Sequence, residues 1–565
     1  MDFRSTWFAG RGAQAALVVL MVSGLSAQIS ESLPRIGVPE DWSHHRIKFS
    51  SQKLREQPEL AAHEPRAAMQ LYREAFAQAK AAMTQMLAAS ASSTSDSLSP
   101  HRDWSVSLGT GRVNFGQYPA KWQTDPTQLP SCTTDYVVYG LSVSGATGAT
   151  GQPSIVGLNN LFASTQANPL CSGLQPKFLF SYNTNTTPAA AQGRILTSPI
   201  LSLDGKKVAF IETSTVAGQR TSVLHVLTVP TSGSQATYQP VVAPPAGAML
   251  NATLGAASNT RSSPWIDYTS DTVYVGLDNG RLYKVTGVFN GTPTPVITAP
   301  WPILINNGSV LSSPVLDSVS GNLFIGAGNG RVYTVNVTTP GAVTTIQAGR
   351  NGGTNPAIYD SPTFDATAGT VFAVTSNDSV NAGASVVQFN AATPFAVVAR
   401  VFIGEGSSTG TGVNLYDGDF DNAYFNNPAT GHMLVCGTGT ADTTPNYYIL
   451  GFNSSGILQP GSATQISTNA NARCGPVTDY FNPNVNGGTD FFFWGVTRNC
   501  PAFGNNGCVM ALANGTTLTS AQEFGGTSGI IIDNDYVAKP GGSSIYFSTG
   551  AAPNNAVKLT QSGLQ

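Results

Sequence analysis

The chain has 565 residues, of which only 10% are charged, with 59 glycines and a formal charge of −3. That length supports a large core, and so small a net charge gives no electrostatic footprint for nucleic acid or an anionic membrane. Sparse charge among abundant neutral polar residues suits an exported all-β protein better than a cytoplasmic enzyme.

At the N-terminus, Arg4 and Arg11 flank the start of the apolar run Ala13–Ala27, which ends in small residues. This is the pattern of a secretory signal cleaved after Ala27, spanning 1–27. The run is shorter than the ~20 apolar residues a membrane-spanning helix needs. No later stretch is long and apolar enough, so no membrane span is expected. Residues 28–102 read as an N-terminal extension. Within it, 65–90 carries Met69, Tyr72, Phe76, Met83 and Leu87 at mostly helical spacing behind Pro65, which suits a first helical turn. Such a stripe is expected to dock on the domain that follows, with dimerisation or a stalk as alternatives. A Ser-rich linker closes the extension.

From Asp103 onward the pattern is all-β. Short β-branched and aromatic runs recur: Asp135-Tyr-Val-Val-Tyr, Ser154-Ile-Val-Gly-Leu, Lys207-Val-Ala-Phe-Ile, Thr370-Val-Phe-Ala-Val, Phe491-Phe-Phe-Trp-Gly and Ser544-Ile-Tyr-Phe among them. The clearest units are Ser262–Gly287 and Ser312–Val337, which lie 50 residues apart and match at 11 of 26 positions without a gap. Each reads Ser-Ser-Pro, two apolar residues, Asp, a turn, a strand, Asn-Gly-Arg and a second strand. A repeat of this period made of short strands is a propeller blade. Eight blades are counted over 103–565, seven being the alternative. The last unit stops one strand short, and the segment 103–109 is expected to supply that strand and close the ring. Asn279-Gly280 and Asn329-Gly330 are expected to form type I′ hairpin turns, because both residue types tolerate positive φ.

An Asp recurs at the end of the first strand: Asp267, Asp317, Asp365, Asp421, Asp479 and Asp533, with Asp204 displaced in the second unit. A carboxylate there is expected to accept backbone N–H bonds in the turn; a ring of ligands around the central channel is the alternative. Asp417-Gly-Asp419-Phe-Asp421 alternates carboxylates like the start of a calcium loop, although Pro428 stands where an EF-hand places Glu. It is the one metal candidate. Gly406-Ser-Ser408-Thr-Gly410 matches a nucleophile elbow only formally, because no helix follows. The six cysteines, Cys132, Cys171, Cys436, Cys474, Cys500 and Cys508, are an even count in an exported chain and favour three disulfides, with free thiols or a metal site as alternatives. The histidines form no catalytic spacing, so no catalytic residue is assigned.

The Ser-Ser-Pro…Asn-Gly-Arg units resemble the repeats of the quinoprotein-like (PQQ-like) β-propeller superfamily, well over 262–390 and more weakly over the rest of 103–565. The resemblance implies an eight-bladed fold, and either a quinone-dependent dehydrogenase or a non-catalytic scaffold. The sequence departs from the enzymes. Phe324 and Tyr274 stand where their repeats carry a blade-docking Trp, no two cysteines are adjacent, and no residue matches their calcium ligands or catalytic Asp. The reading favoured is a secreted, non-catalytic module that binds a protein or carbohydrate on its loop face. An exported quinoprotein-like oxidoreductase or other propeller enzyme, and a cell-surface adhesive protein, are the alternatives. The long connections 141–153, 375–385, 438–446 and 498–508 are candidate binding loops. No cofactor is expected beyond calcium at Asp417, Asp419 and Asp421.

Overall fold

The computed structural model describes residues 37–72 and 100–560, apart from 125–129, 167, 186–192, 217–218, 234–236, 257–258, 351–356, 408–412, 484, 486, 502 and 534–541. The signal segment, residues 73–90 of the expected helix, linker residues 91–99, and Ser408 with Gly410 lie outside the described residues.

The β-branched and aromatic runs form eight antiparallel sheets, one per blade of a β-propeller. In the third blade the order from the axis outward is Trp265–Asp267, Thr272–Gly276, Arg281–Thr286 and Thr294–Pro295. The fourth repeats it with Val315–Leu316, Asn322–Gly326, Arg331–Asn336 and Thr344–Gln347. The central strands are buried on both faces, which explains their continuous apolar runs. Strand His101–Ser107 pairs antiparallel with Asn555–Thr560 and becomes the outer strand of the eighth blade. The first and last strands of the ring thus share one sheet, and the ring has no open seam.

The repeat motif has a physical reason at each position. The first serine locks strand to strand: Ser262 Oγ accepts from Gly276 N at 3.0 Å and Ser312 Oγ from Gly326 N at 2.9 Å. The second locks blade to blade: Ser198 N donates to Ser263 Oγ, and Ser263 N to Ser313 Oγ, both at 2.8 Å. Phe324 packs on Phe364 of the next blade at 5.4 Å between centroids, so a phenyl ring makes a blade-to-blade contact here. The Asn-Gly turns differ from expectation. Only the glycine takes positive φ (Gly280 +75°, Gly330 +78°), and Gly280 N donates to Leu277 O. These are three-residue loops, a type I turn closed by a left-handed glycine, not type I′. The asparagine instead uses its side chain, Asn279 Oδ1 accepting from Arg281 N at 3.1 Å.

Antiparallel meandering puts the connections on two opposite faces. The first-to-second-strand turns, with their aspartates, occupy one. The second-to-third-strand loops and the inter-blade loops occupy the other. All four long connections singled out above are second-to-third-strand loops and share that second face, called here the loop face.

The N-terminal extension threads the axis. Strand Val38–Glu40 adds to the innermost strand of the first blade, Ala120–Gln123, antiparallel, with Val38 opposite Gln123 and Glu40 opposite Lys121. It therefore climbs from the turn face toward the loop face. A 3-10 turn, Trp42–His45, capped by Asp41, reverses the chain. Ile47–Lys48 then descends parallel to Thr363–Asp365, the innermost strand of the fifth blade, across the ring. Helices Ser51–Glu56 and Pro58–His63, and the helical residues 65–72, follow on the turn face. They are held by Lys53 Nζ to Thr367 O (3.2 Å), Thr269 Oγ1 to His63 O (3.0 Å) and Arg66 Nη2 to Ile266 O (3.0 Å).

Candidate functional site

The central channel is where a propeller of this kind offers a site, and here the chain fills it with its own residues 38–48. Trp42 is 2% exposed; its Nε1 donates to Pro264 O at 3.2 Å and its ring meets Trp265 edge-on at 5.9 Å. His45 stacks on Tyr118 at 4.9 Å. Arg66, on the turn face, holds the reversal by donating from Nε to Ser43 Oγ at 2.9 Å, from Nη1 to Glu64 at 2.7 Å, and by lying over Trp265.

Two cations of the plug face anions of the inner strands and the loops leading into them. Arg46, 1% exposed, donates from Nη2 to Asp360 and stands 3.9 Å from Asp417 Oδ2. Lys48 Nζ lies 2.6 Å from Asp419 Oδ1. Burial pushes the Asp417 carboxyl above its ordinary value; Arg46 opposes this and the neighbouring Asp360 adds to it. Burial likewise raises Asp360 against the pull of Arg46. Asp479 is pushed well up by burial and by Asp490 and Asp419, and Asp490 is held at about 7 by burial and by Asp421 and Asp419.

The sequence-predicted residues are placed as follows. Asp267, Asp317 and Asp365 are turn devices: Asp267 Oδ1 accepts from Thr269 N (3.0 Å), Asp317 Oδ1 from Val319 N (3.0 Å), and Asp365 Oδ1 from Thr367 N (2.9 Å). Asp204 does the same with Lys206 N at 3.1 Å. Asp533 instead pairs across the ring closure with Lys121 Nζ at 3.0 Å. Asp417, Asp419 and Asp421 do not converge. Asp417 accepts from Thr363 Oγ1 (2.9 Å) and Val374 N (3.1 Å), and Asp419 Oδ2 accepts from Asp479 N (3.0 Å). Asp421 caps the short helix Asn422–Asn426 and contacts His432 Nδ1 at 2.8 Å. Among the described residues, no group of three or more His, Cys, Asp or Glu side chains is arranged to hold a metal. The channel does not fit a quinone with its calcium ion: residues 38–48 occupy it, and Asp360, Asp417 and Asp419 are taken up by Arg46, Lys48 and backbone N–H groups.

Three disulfides form: Cys132–Cys171 joins two turn-face connections of the first blade, Cys436–Cys474 ties the sixth blade to the loop entering the seventh, and Cys500–Cys508 closes one loop of the seventh. This is the pattern of a chain folded in an oxidising compartment. Among the described residues, no helix is long and apolar enough to cross a membrane.

Sequence reasoning missed the plug. Its strands are two and three residues long, too short for any periodicity to register. Their one signal was Arg46 and Lys48 in a chain with few charges. It also missed the buried His225, which stands 3.8 Å from Glu212 and 2.7 Å from Asn251 inside the second blade. Thr184 Oγ1 donates to the same Glu212, which makes this a polar strut within the sheet stack.

No family model matches the sequence, and no curated protein matches it. Among solved structures the chain is similar to BamB from Moraxella catarrhalis, at 11% identity over 82% of this chain and 97% of that one, TM-score 0.40. It is similar to Sqt1 from Saccharomyces cerevisiae, at 10% identity over 82% and 100%, TM-score 0.46. It is also similar to the dihydro-heme d1 dehydrogenase NirN, at 12% identity over 74% of each chain, TM-score 0.39. The β-propeller fold rests on the eight sheets themselves.

Proposed function

We propose that this chain is an exported, non-catalytic binding propeller whose loop face is the working surface. One observation carries the reading: residues 38–48 occupy the axial channel, pair with inner strands of opposite blades and hold Asp360 and Asp419 through Arg46 and Lys48. A channel ligand would have to displace both strand pairings and leave Arg46 or Asp417 buried without a partner, at a cost of about 3–5 kcal/mol for the ion pair alone. The turn face is covered in part by the helices of 51–72. The loop face keeps the long connections 141–153, 375–385, 438–446 and 498–508, and propellers present ligands to such loops.

The test is a hydrogen-exchange footprint of residues 28–565 against a panel of soluble glycans and proteins from the exported fraction. Protection confined to the four loops and the inter-blade loops beside them is expected. Protection of 38–48 or of the turn face would overturn the reading. In parallel, calcium and pyrroloquinoline quinone are added and the absorbance followed. No new band is expected, and a stoichiometric bound quinone would contradict the non-catalytic assignment.

A further inference from the structure

Five inter-blade loops converge on the loop-face mouth of the channel, above the tip of the plug. Tyr416, buried, packs edge-on against Phe115 and Tyr359, each at 5.5 Å between centroids. Phe115 and Tyr359 are half-buried and turn their remaining surface outward. Gly116, at φ +82°, makes the closure possible, because a Cβ there would run into the Tyr416 ring. Arg261, exposed, donates from Nη1 to Tyr359 Oη at 2.9 Å, with its guanidinium 5.9 Å from that ring's centroid. Arg473 lies on the loop between the sixth and seventh blades; burial, Tyr359 and Asp360 push the Tyr416 phenol up, and Arg473 and Arg261 oppose them.

Neither arginine forms an ion pair with a described carboxylate. The same holds for Arg112, Arg350 and Arg498, exposed on loop-face connections, and for the exposed Arg220 near the start of strand Gln219–Thr228. The acids of this face are engaged elsewhere. Asp378 pairs with Arg400 at 2.8 Å, Glu523 with Arg102 at 2.5 Å, and Asp442 folds back on Thr444 N at 2.9 Å. Asp278 is raised by burial, opposed by Arg261 and Arg220; Asp360, beside Tyr359, and Asp417, beside Tyr416, face Arg46; and Glu405 is the remaining acid of these loops among the described residues. The opposite face bears the turn aspartates. The loop face therefore presents exposed guanidinium groups within a net charge of −3.

We infer that the mouth formed by Phe115, Arg261, Tyr359, Tyr416 and Arg473 is a binding site for a carboxylate-bearing polysaccharide. Guanidinium forks match carboxylates in a planar, two-point geometry. Half-exposed aromatic rings between them offer an apolar surface for a sugar ring. This inference rests on the loop-face reading above and names the ligand class.

The test uses residues 28–565 with polygalacturonate oligomers, the same oligomers fully methyl-esterified, and single-stranded DNA. Binding is read by calorimetry in low and moderate salt. Wild type is expected to bind the acid form, more weakly as salt rises, and to ignore the ester. Arg261→Gln and Arg473→Gln are each expected to weaken binding about tenfold, and the pair further, with an unchanged melting temperature. Tyr359→Ala supplies an independent readout at constant charge and is expected to weaken binding in all salts. Undiminished binding by the double arginine variant would overturn the site while leaving the loop-face reading intact. Equal binding of the ester would overturn the carboxylate class. Preference for DNA, or no binding of the acid form, would overturn the proposal and leave the footprint experiment to judge the loop face itself.

Discussion

Replacing Arg46 by methionine removes the cation that lies between Asp360 and Asp417 and leaves the shape of the plug nearly unchanged. Both Arg46 and Asp417 are 1% exposed, so water cannot take over the lost interaction. Removing one partner of a buried pair costs about 3–5 kcal/mol. Unfolding entropy of about 2.1 cal/mol/K per residue makes that roughly 3–5 °C in melting temperature for a domain of this size. The loss depends on pH. Asp360 and Asp417 already sit above the ordinary carboxylate value in the folded chain because of burial. A carboxyl raised on folding favours the folded state while it is protonated, and that advantage is lost as pH rises through the folded value. Without Arg46 both rise further, so the defect is small at pH 5 and full at pH 8. Thermal unfolding of wild type and Arg46→Met at the two pH values measures this. Adding Asp360→Asn and Asp417→Asn to the variant is expected to recover most of the loss at pH 8. A shift below about 1 °C that is the same at both pH values would refute the buried-pair argument.

Trp42→Ala empties a site packed on Trp265 and removes the bond to Pro264 O, and is expected to cost about 3–5 kcal/mol by chemical denaturation. Wild type itself is expected to melt higher at pH 5 than at pH 8, because burial holds Asp490 and Glu523 at about 7, with Arg102 opposing the shift at Glu523. Each contributes stability below its unfolded value that fades as pH rises toward 7; Asp490→Asn flattens the profile. At the ring closure, Lys558 is fully buried with Asp103 Oδ2 at 3.4 Å. Asp103→Ala is expected to destabilise by about 3 kcal/mol, and Lys558→Met in the same chain to restore part of it, read as a double-mutant cycle. Non-reducing peptide mapping is expected to return the linked pairs 132–171, 436–474 and 500–508.

The blade was legible because its physics is local and repeated. Serines that tie strand to strand, aspartates that cap a turn and alternating apolar runs recur in register, so the eight-bladed architecture could be counted from the sequence. The Asn-Gly turns were located, but their type was misjudged, because the asparagine's own side chain stabilises a negative φ that residue preference alone does not reveal. The plug was illegible. Val38–Glu40 and Ile47–Lys48 are strands only because partners more than 80 and 300 residues away supply the hydrogen bonds. Nothing in Gly37–Phe49 alone distinguishes it from a polar linker. The mouth cluster was hidden for the same reason: Phe115, Arg261, Tyr359, Tyr416 and Arg473 come together only when five loops meet over the axis.

The central claim is that residues 38–48 close the channel as a permanent part of the fold. Hydrogen exchange of residues 28–565 tests it most directly, by comparing peptides covering 38–48 with those covering the inner strands Ala120–Gln123 and Thr363–Asp365. The amides of the plug are expected to exchange as slowly as those of the two strands they pair with. Exchange of the plug at the rate of an exposed loop, while the inner strands stay protected, would contradict the account and reopen the channel as a site.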